Sequence, residues 1–439
     1  MKRRIYLATL IGILAAMLAI STASTTPAFD ENSNVNYEVW AIDQSNTRDE
    51  DGNGSLDSGG TLYAYDGDDM AGEQPETATP VVVDLGGAAR DLCVAETGTF
   101  PVRPHMFFFN ASHSHAVIAF VASGHVLFMN TATKAPIKCL DVGLQAHAAV
   151  PSNDQTFIVV ANQNGRLLQR INTNYATNTF TLDNAATINL ATCTTPSGAP
   201  CQDVVLRPDA RPICPVIDSC DRFTFVTLAG GGLFVVDPNT TPMSIVAEYD
   251  KATVHPDGCG GIQANGQMYI NSGGALEADL YSFPLRGYLA TNPPNTPAPS
   301  LVYTHDGTNS DSHGVTATSG ERYLWVGERF GNNITIVDTR NNLVVDQFSL
   351  VGPISNDPTP DLLDISPDGK HVFMSLRGPN PLSGNNPAFN NAAGSTPGVG
   401  IIRVQQGGRR GRFVARLPIS HVVGGVERAD PHGLRVLIK

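Results

Sequence analysis

The chain has 439 residues, with 28 Lys and Arg set against 41 Asp and Glu for a formal net charge of −13. Such an acidic surface repels nucleic-acid phosphates and anionic lipid, which argues against a nucleic-acid-binding protein or a polybasic membrane-surface protein. Its texture is even and no linker divides it, so the length points to one large repeat fold rather than two or three ordinary domains.

Residues 1–28 read as a secretory signal peptide: Lys2, Arg3 and Arg4, an apolar run from Ile5 to Ile20, then small residues at Thr22, Ala23, Thr26 and Ala28. That run of about 16 residues is short of the roughly 20 that span a bilayer. The remainder, 29–439, is expected as a single domain in the periplasm or outside the cell, with no membrane span after cleavage and no nucleic-acid partner. Without the leader, 25 basic residues face 41 acidic ones, a balance of −16. All seven Cys follow the leader, and export would put them where disulfides persist. Cys193 with Cys201, and Cys214 with Cys220, are close enough to close small surface loops, and Cys93 suits Cys139. This arrangement leaves Cys259 as the odd thiol, and spacing alone does not decide the connectivity.

Strands are expected at 37–43, 60–66 and 81–85. Between the first two, Asp49-Glu50-Asp51-Gly52-Asn53-Gly54-Ser55-Leu56-Asp57 places oxygen donors at alternate positions and a glycine at the sixth. Hard Ca²⁺ wants six to eight oxygens, and the glycine allows the turn that gathers them. Gly60 stands where an EF-hand has its bidentate Glu, so the segment resembles shorter dockerin-like loops. Structural calcium held by Asp49, Asp51, Asn53 and Asp57, with Asp43 as a further donor, is the expectation; a solvated acidic hairpin loop is the alternative.

Downstream, helical periodicity is missing and short β-branched and aromatic runs recur between Gly, Asn, Asp and Pro. Runs at 156–161, 223–228, 267–271, 323–327 and 371–376 are each followed by a second run, at 167–171, 232–237, 280–283, 334–338 and 399–404. The clearest unit spans 321–352. Its Ile334-Thr-Ile-Val-Asp-Thr339 segment, with Ile365-Ser-Pro-Asp-Gly-Lys-His-Val-Phe-Met-Ser-Leu-Arg-Gly378 beyond, resembles YVTN-type propeller repeats. The chain therefore reads as all-β and, by the count of units, as a seven-bladed β-propeller, with six or eight blades as the alternative. Superposing the units puts inner-strand starts at His105, His147, Asp203, His255 or Asp257, His313, Asp361 and His432. The last stands at the C-terminus with no blade after it, so its outer strands must be those at 37–85, which closes the ring and removes the open edge.

Inner strands converge on the central channel, so these registered residues meet in space. Only eleven His occur in the chain, and four or five fall at these positions. Asp311-Ser312-His313-Gly314 and Asp430-Pro431-His432-Gly433 share a local frame, while His113, His115 and His125 belong to a hairpin edge. Convergent neutral imidazoles suit copper, iron or zinc, with Asp203, Asp257 or Asp361 completing the set or orienting a ring. The alternative is a ring that hydrogen-bonds between blades and holds water. The pattern His105, His147, His255, His313 and His432 resembles the propeller of nitrous oxide reductase and the selenium-binding or methanethiol oxidase group, which implies copper in the channel. Asp203 and Asp361 depart from an all-His cluster, so a mononuclear or small site is implied. YVTN repeats are also similar to lactonase propellers, but those use acidic residues for their ion. The expected function is an exported copper-dependent oxidoreductase on a small molecule, with no catalytic residue assigned. The other reading is a non-enzymatic scaffold that binds a protein or polysaccharide on a propeller face.

Overall fold

Short β-branched runs separated by tight turns can pair only with their neighbours in sequence, and the molecule consists of such meanders. It was analysed as a computed structural model describing residues 35–273, 278–288, 296–305 and 310–439; the signal-peptide reading lies outside the described residues. Seven four-stranded antiparallel sheets are present among them. Their innermost strands are Pro104–Phe109, Ala146–Pro151, Pro212–Ile217, Gly261–Ala264, Ser312–Ala317, Pro360–Ile365 and Pro431–Ile438, which begin blades 1 to 7 in that order. Blade 7 is shared between the chain's two ends. Tyr37–Asp43 pairs with Pro431–Ile438 on one side, in the register Tyr37↔Ile438 and Ala41↔Leu434, and with Thr61–Asp66 on the other. Val81–Asp84 is its outer strand. The closure expected from the sequence is therefore present.

Each blade packs its two faces on its neighbours, so the middle strands are buried on both sides and read as continuous apolar runs. Phe157–Asn162 and His371–Leu376 are buried at every position. Trp40, Phe107 and Ile118 share one cluster between blades 7 and 1, while Trp325, Leu363 and Met374 share another between blades 5 and 6.

Three details differ from the sequence reading. A ten-residue helix, Ala88–Thr97, follows blade 7; it buries only Ala89 and Cys93 and so carries no periodic apolar stripe to announce it. The Cys93–Cys139 disulfide ties it to the outer strand of blade 1, and Cys193–Cys201 closes its expected loop. Cys214, however, pairs with Cys259 rather than Cys220, which is an exposed free thiol. Cys214 lies on the inner strand of blade 3 and Cys259 just before that of blade 4, a proximity that sequence distance hides. Finally, Asp203 does not begin an inner strand. It caps an exposed turn, accepting from the N–H groups of Val205 and Leu206, because the chain spends this stretch on the disulfide-closed loop before blade 3 enters at Pro212.

Candidate metal centre

In blades 1, 5 and 6 the inner strand carries a register shift just after its first residue, which turns the second residue toward the axis. That second position holds His105, His147, Ile213, His313, Asp361 and His432 in six blades, and pairing of Gly261 with Ile270 puts Cys259 there in blade 4. His255 and Asp257 precede it. His255 instead gives Nδ1 to Asp279 at 2.7 Å, and Asp257 lines the wider mouth of the channel. A glycine follows the ring residue where the next blade crowds closest. A Cβ at Gly433 would stand 2.5 Å from the His105 carbonyl, and one at Gly314 would collide with the Asp361 carbonyl.

The side chains then meet. His313, Asp361 and His432 bring ligand atoms to within 4.8 Å of one another, all three buried. Asp361 Oδ1 lies 3.1 Å from His313 Nε2 and 3.7 Å from His432 Nε2. The His105 ring stacks on His432 at 3.8 Å between centroids, and His147 meets His105 edge-on at 4.7 Å. Despite these distances, His105 Nε2, both nitrogens of His313, His432 Nδ1 and Asp361 Oδ1 have no hydrogen-bond partner of acceptable geometry. His115 and His125 provide the contrast: each engages both ring nitrogens, with Ser114 and Asn178 in one case and Ser123, Thr97 and Thr99 in the other.

A layer of charge that the sequence reading missed orients this cluster. Arg377, wholly buried, reaches Asp361 Oδ2 at 2.5 Å and grips both oxygens of Asp430 at 2.6 and 2.9 Å. Arg329 grips Asp311 in the same way, at 2.8 and 3.1 Å. Asp430 also accepts from Gln44 Nε2 at 2.9 Å, which turns Gln44 Oε1 toward His105 Nδ1, 2.9 Å away. An amide oxygen only accepts, so Nδ1 carries the proton and Nε2 keeps a bare lone pair. Gln44, Arg329 and Arg377 each follow directly on the second strand of their blade, and Asp311 and Asp430 each stand two residues before a ring His. That repeated offset was the available signal.

Burial holds the imidazoles neutral: it pushes His313 down to about 3, His147 down to about 4, and His105 and His432 well below the ordinary range. Burial alone would raise the Asp361 carboxyl, but the Arg377 and Arg329 guanidiniums hold it below its usual value. Neutral imidazoles beside an ionised carboxylate form a donor set for a transition metal. Arg377→Ala would leave Asp361 and Asp430 as uncompensated buried charges, so we expect a loss of about 3–5 kcal/mol, read as a lowered urea midpoint. Arg377→Lys should restore only part, since a point charge cannot fork between two carboxylates.

The cluster opens on a cavity of about 720 Å³, whose wall includes Arg103, Arg211, Arg329, Asp257, Gln163 and Asn391. On the opposite side lies a smaller cavity of about 230 Å³, walled by Met106, Val150, Val216 and Leu363 with Arg435 at its edge. The channel thus has a wide polar mouth and a narrower one of mixed lining.

Away from the channel, Asp49, Asp51 and Asp57 also bring carboxylate oxygens within 4.8 Å. Asp49 accepts from the N–H groups of Gly52, Asn53 and Gly54, and Asp51 from that of Asn53, so the loop is already curled around its acidic groups. Asp43 does not join them. It is buried at the ring closure, where it accepts from Ser45 and from the Asp430 N–H at 2.8 Å.

No protein-family profile and no curated protein matches the chain. Solved structures do. A hypothetical selenium-binding protein from Sulfolobus tokodaii superposes with a TM-score of 0.60 at 10% identity, over 92% of this chain and 94% of that one. A periplasmic gluconolactonase from Pseudomonas aeruginosa gives 0.56 at 12% identity, over 92% and 99%. A protein from Lactobacillus plantarum gives 0.58 at 9% identity, over the same shares. At such identities the likeness is one of architecture, and it agrees with the seven closed sheets: the chain is a seven-bladed β-propeller.

Proposed function

We propose that the protein is an exported metalloprotein that holds a transition metal, copper by preference, in its channel and acts on a small molecule as an oxidoreductase. The observation that carries this reading is that ligand atoms of His313, Asp361 and His432 meet within 4.8 Å in a buried cluster where both His313 nitrogens and Asp361 Oδ1 have no hydrogen bond to protein. Each such atom costs about 1–3 kcal/mol when left unsatisfied. A ring that served only to tie blades together would spend those nitrogens on hydrogen bonds to protein groups, as His115 and His125 do. His313, His432 and Asp361 Oδ1 are the ligands of this proposal, with the bare Nε2 of His105 beside them and His147 at the margin. Arg377 occupies the second oxygen of Asp361, leaving Oδ1 aimed at the imidazoles, and Gln44 sets the tautomer of His105.

Copper would supply one-electron redox chemistry at this point. The chain's own residues do the rest: the polar mouth admits a small hydrophilic molecule, Arg103 presents positive charge to it, and the narrower cavity beyond the ring limits water. Three disulfides fit an oxidising, exported setting. Elemental analysis of untagged protein from its native compartment, repeated after copper reconstitution, tests the proposal. Near-stoichiometric metal is expected, copper first, then iron, then zinc. Protein that holds none after reconstitution would hand the function to the scaffold reading, with a protein or polysaccharide on a propeller face.

Calcium belongs to the same proposal in a structural role, bound by Asp49, Asp51, Asn53 and Asp57. Glu50 ties the loop to the helix through Arg90 at 2.8 Å, so an ion that orders the loop also steadies the ring closure. A ligand that binds only the folded state stabilises it by mass action, about 2.7 kcal/mol at a hundredfold excess over Kd. A chelator should therefore lower the melting temperature, and Asp51→Ala with Asp57→Ala should abolish that sensitivity. Identical melting of the wild type with chelator and with calcium would refute it.

A further inference from the structure

The ring residues of blades 2 to 4 form a second group that the histidine reading leaves aside. Cys259 holds the ring position in blade 4, and Cys214 the place just after it in blade 3, so their disulfide lies on the channel wall. His147 Nδ1 is 3.7 Å from Cys214 Sγ. Met106 Sδ is 3.7 Å from Cys214 Sγ and 3.6 Å from Cys259 Sγ. One nitrogen of His147 and the two cysteine sulfurs all lie within 4.8 Å of one another. An imidazole, two sulfurs able to become thiolates and a thioether therefore face one point, and this donor composition suits Cu(I) above other first-row ions.

In the disulfide the two cysteine sulfurs are bonded to each other and offer no thiolate. We propose that Cys214–Cys259 is a redox latch over a second, soft metal site, and that its reduction lets Cys214, Cys259, His147 and Met106 bind one Cu(I). The balance is that of thiol–disulfide exchange with a dithiol. One thiolate of the reductant attacks a sulfur of the pair, and the reductant's second sulfur then closes its own disulfide. The Cys214–Cys259 bond thus receives two electrons and two protons, and both protons leave when the ion binds. Access is provided by the wide mouth, because Cys259 lines that cavity as well as the narrower one. The site shares no ligand with His313, Asp361 and His432, so it does not depend on the metal proposed there.

The test is Cu(I) titration under anaerobic conditions against a chromophoric Cu(I) chelator, on protein either left oxidised or reduced with dithiothreitol and desalted. The oxidised sample reports the His313 centre together with any uptake by the free Cys220 thiol, which is common to all samples. The reduced wild type should take up one further equivalent, with sulfur scatterers in its X-ray absorption spectrum, and Cys214→Ser with Cys259→Ser, reduced alongside, should not. That double variant keeps the other five cysteines, so equal uptake by it would assign the extra ion to them and overturn the proposal. No additional uptake by the reduced wild type would overturn it too. Should the double variant fail to fold, His147→Ala retains the disulfide: loss of the further equivalent to the chelator supports the site, and wild-type uptake refutes it.

Discussion

Replacing His313 and His432 together by alanine is expected to leave copper-reconstituted protein with less than a tenth of the wild-type metal while its blades stay intact. Two of the three ligands that meet within 4.8 Å would be gone. Removing even an outer partner of a metal ligand typically costs about 10–100-fold in affinity, and a ligand itself costs more. Stability should change less than in an ordinary core truncation. Both nitrogens of His313 and one of His432 are buried without partners, so the metal-free double variant loses groups that were already paying for their burial. Metal-free wild type and metal-free variant should thus melt within a few degrees of each other, and copper should raise the melting temperature of the wild type alone. His125→Ala, at a hydrogen-bonded hairpin position remote from the ring, should leave metal content unchanged. Equal copper in the wild type and the double variant would sink the metal centre.

Deleting residues 430–439 is expected to abolish soluble protein. The deletion removes the inner strand of blade 7 and leaves Tyr37–Asp43 with one unpaired edge, a template for aggregation. It also removes Asp430, so Arg377 loses two of its carboxylate contacts inside the fold and Gln44 loses the group that sets its amide. Breaking a buried charge network of this kind costs about 3–5 kcal/mol by itself, comparable to the whole stability of many domains. Expression of the truncated chain beside the full one, with soluble yield and thermal melting as readouts, checks this. A soluble truncation with unchanged melting would contradict closure by the two chain ends.

What the sequence by itself determined was everything that repeats or is local. The alternation of apolar runs with Gly, Asn and Asp turns placed the second and third strands of nearly every blade to within a residue or two, and Tyr37–Asp43 and His371–Leu376 at their observed bounds. A lone inner strand at the C-terminus required partners, and only the N-terminal strands were left to supply them. His313 and His432 could be aligned because their local frame recurs, and His105, His147 and Asp361 by blade register. Asp203 could not, since a disulfide-closed loop before blade 3 breaks the spacing on which alignment relied. His255 likewise precedes its ring position, which a cysteine occupies. Tertiary structure alone decided how those positions share their charge. Arg377 sits between Asp361 and Asp430, Gln44 spans 386 residues to Asp430, and Cys214 reaches Cys259 from the next blade. Most of those contacts join residues remote in sequence, and the recurring offsets of Gln44, Arg377 and Asp430 mark the positions without saying which partners meet. They exist because seven blades close on one axis, where a buried carboxylate must find a cation and an imidazole without a hydrogen bond is left facing the channel.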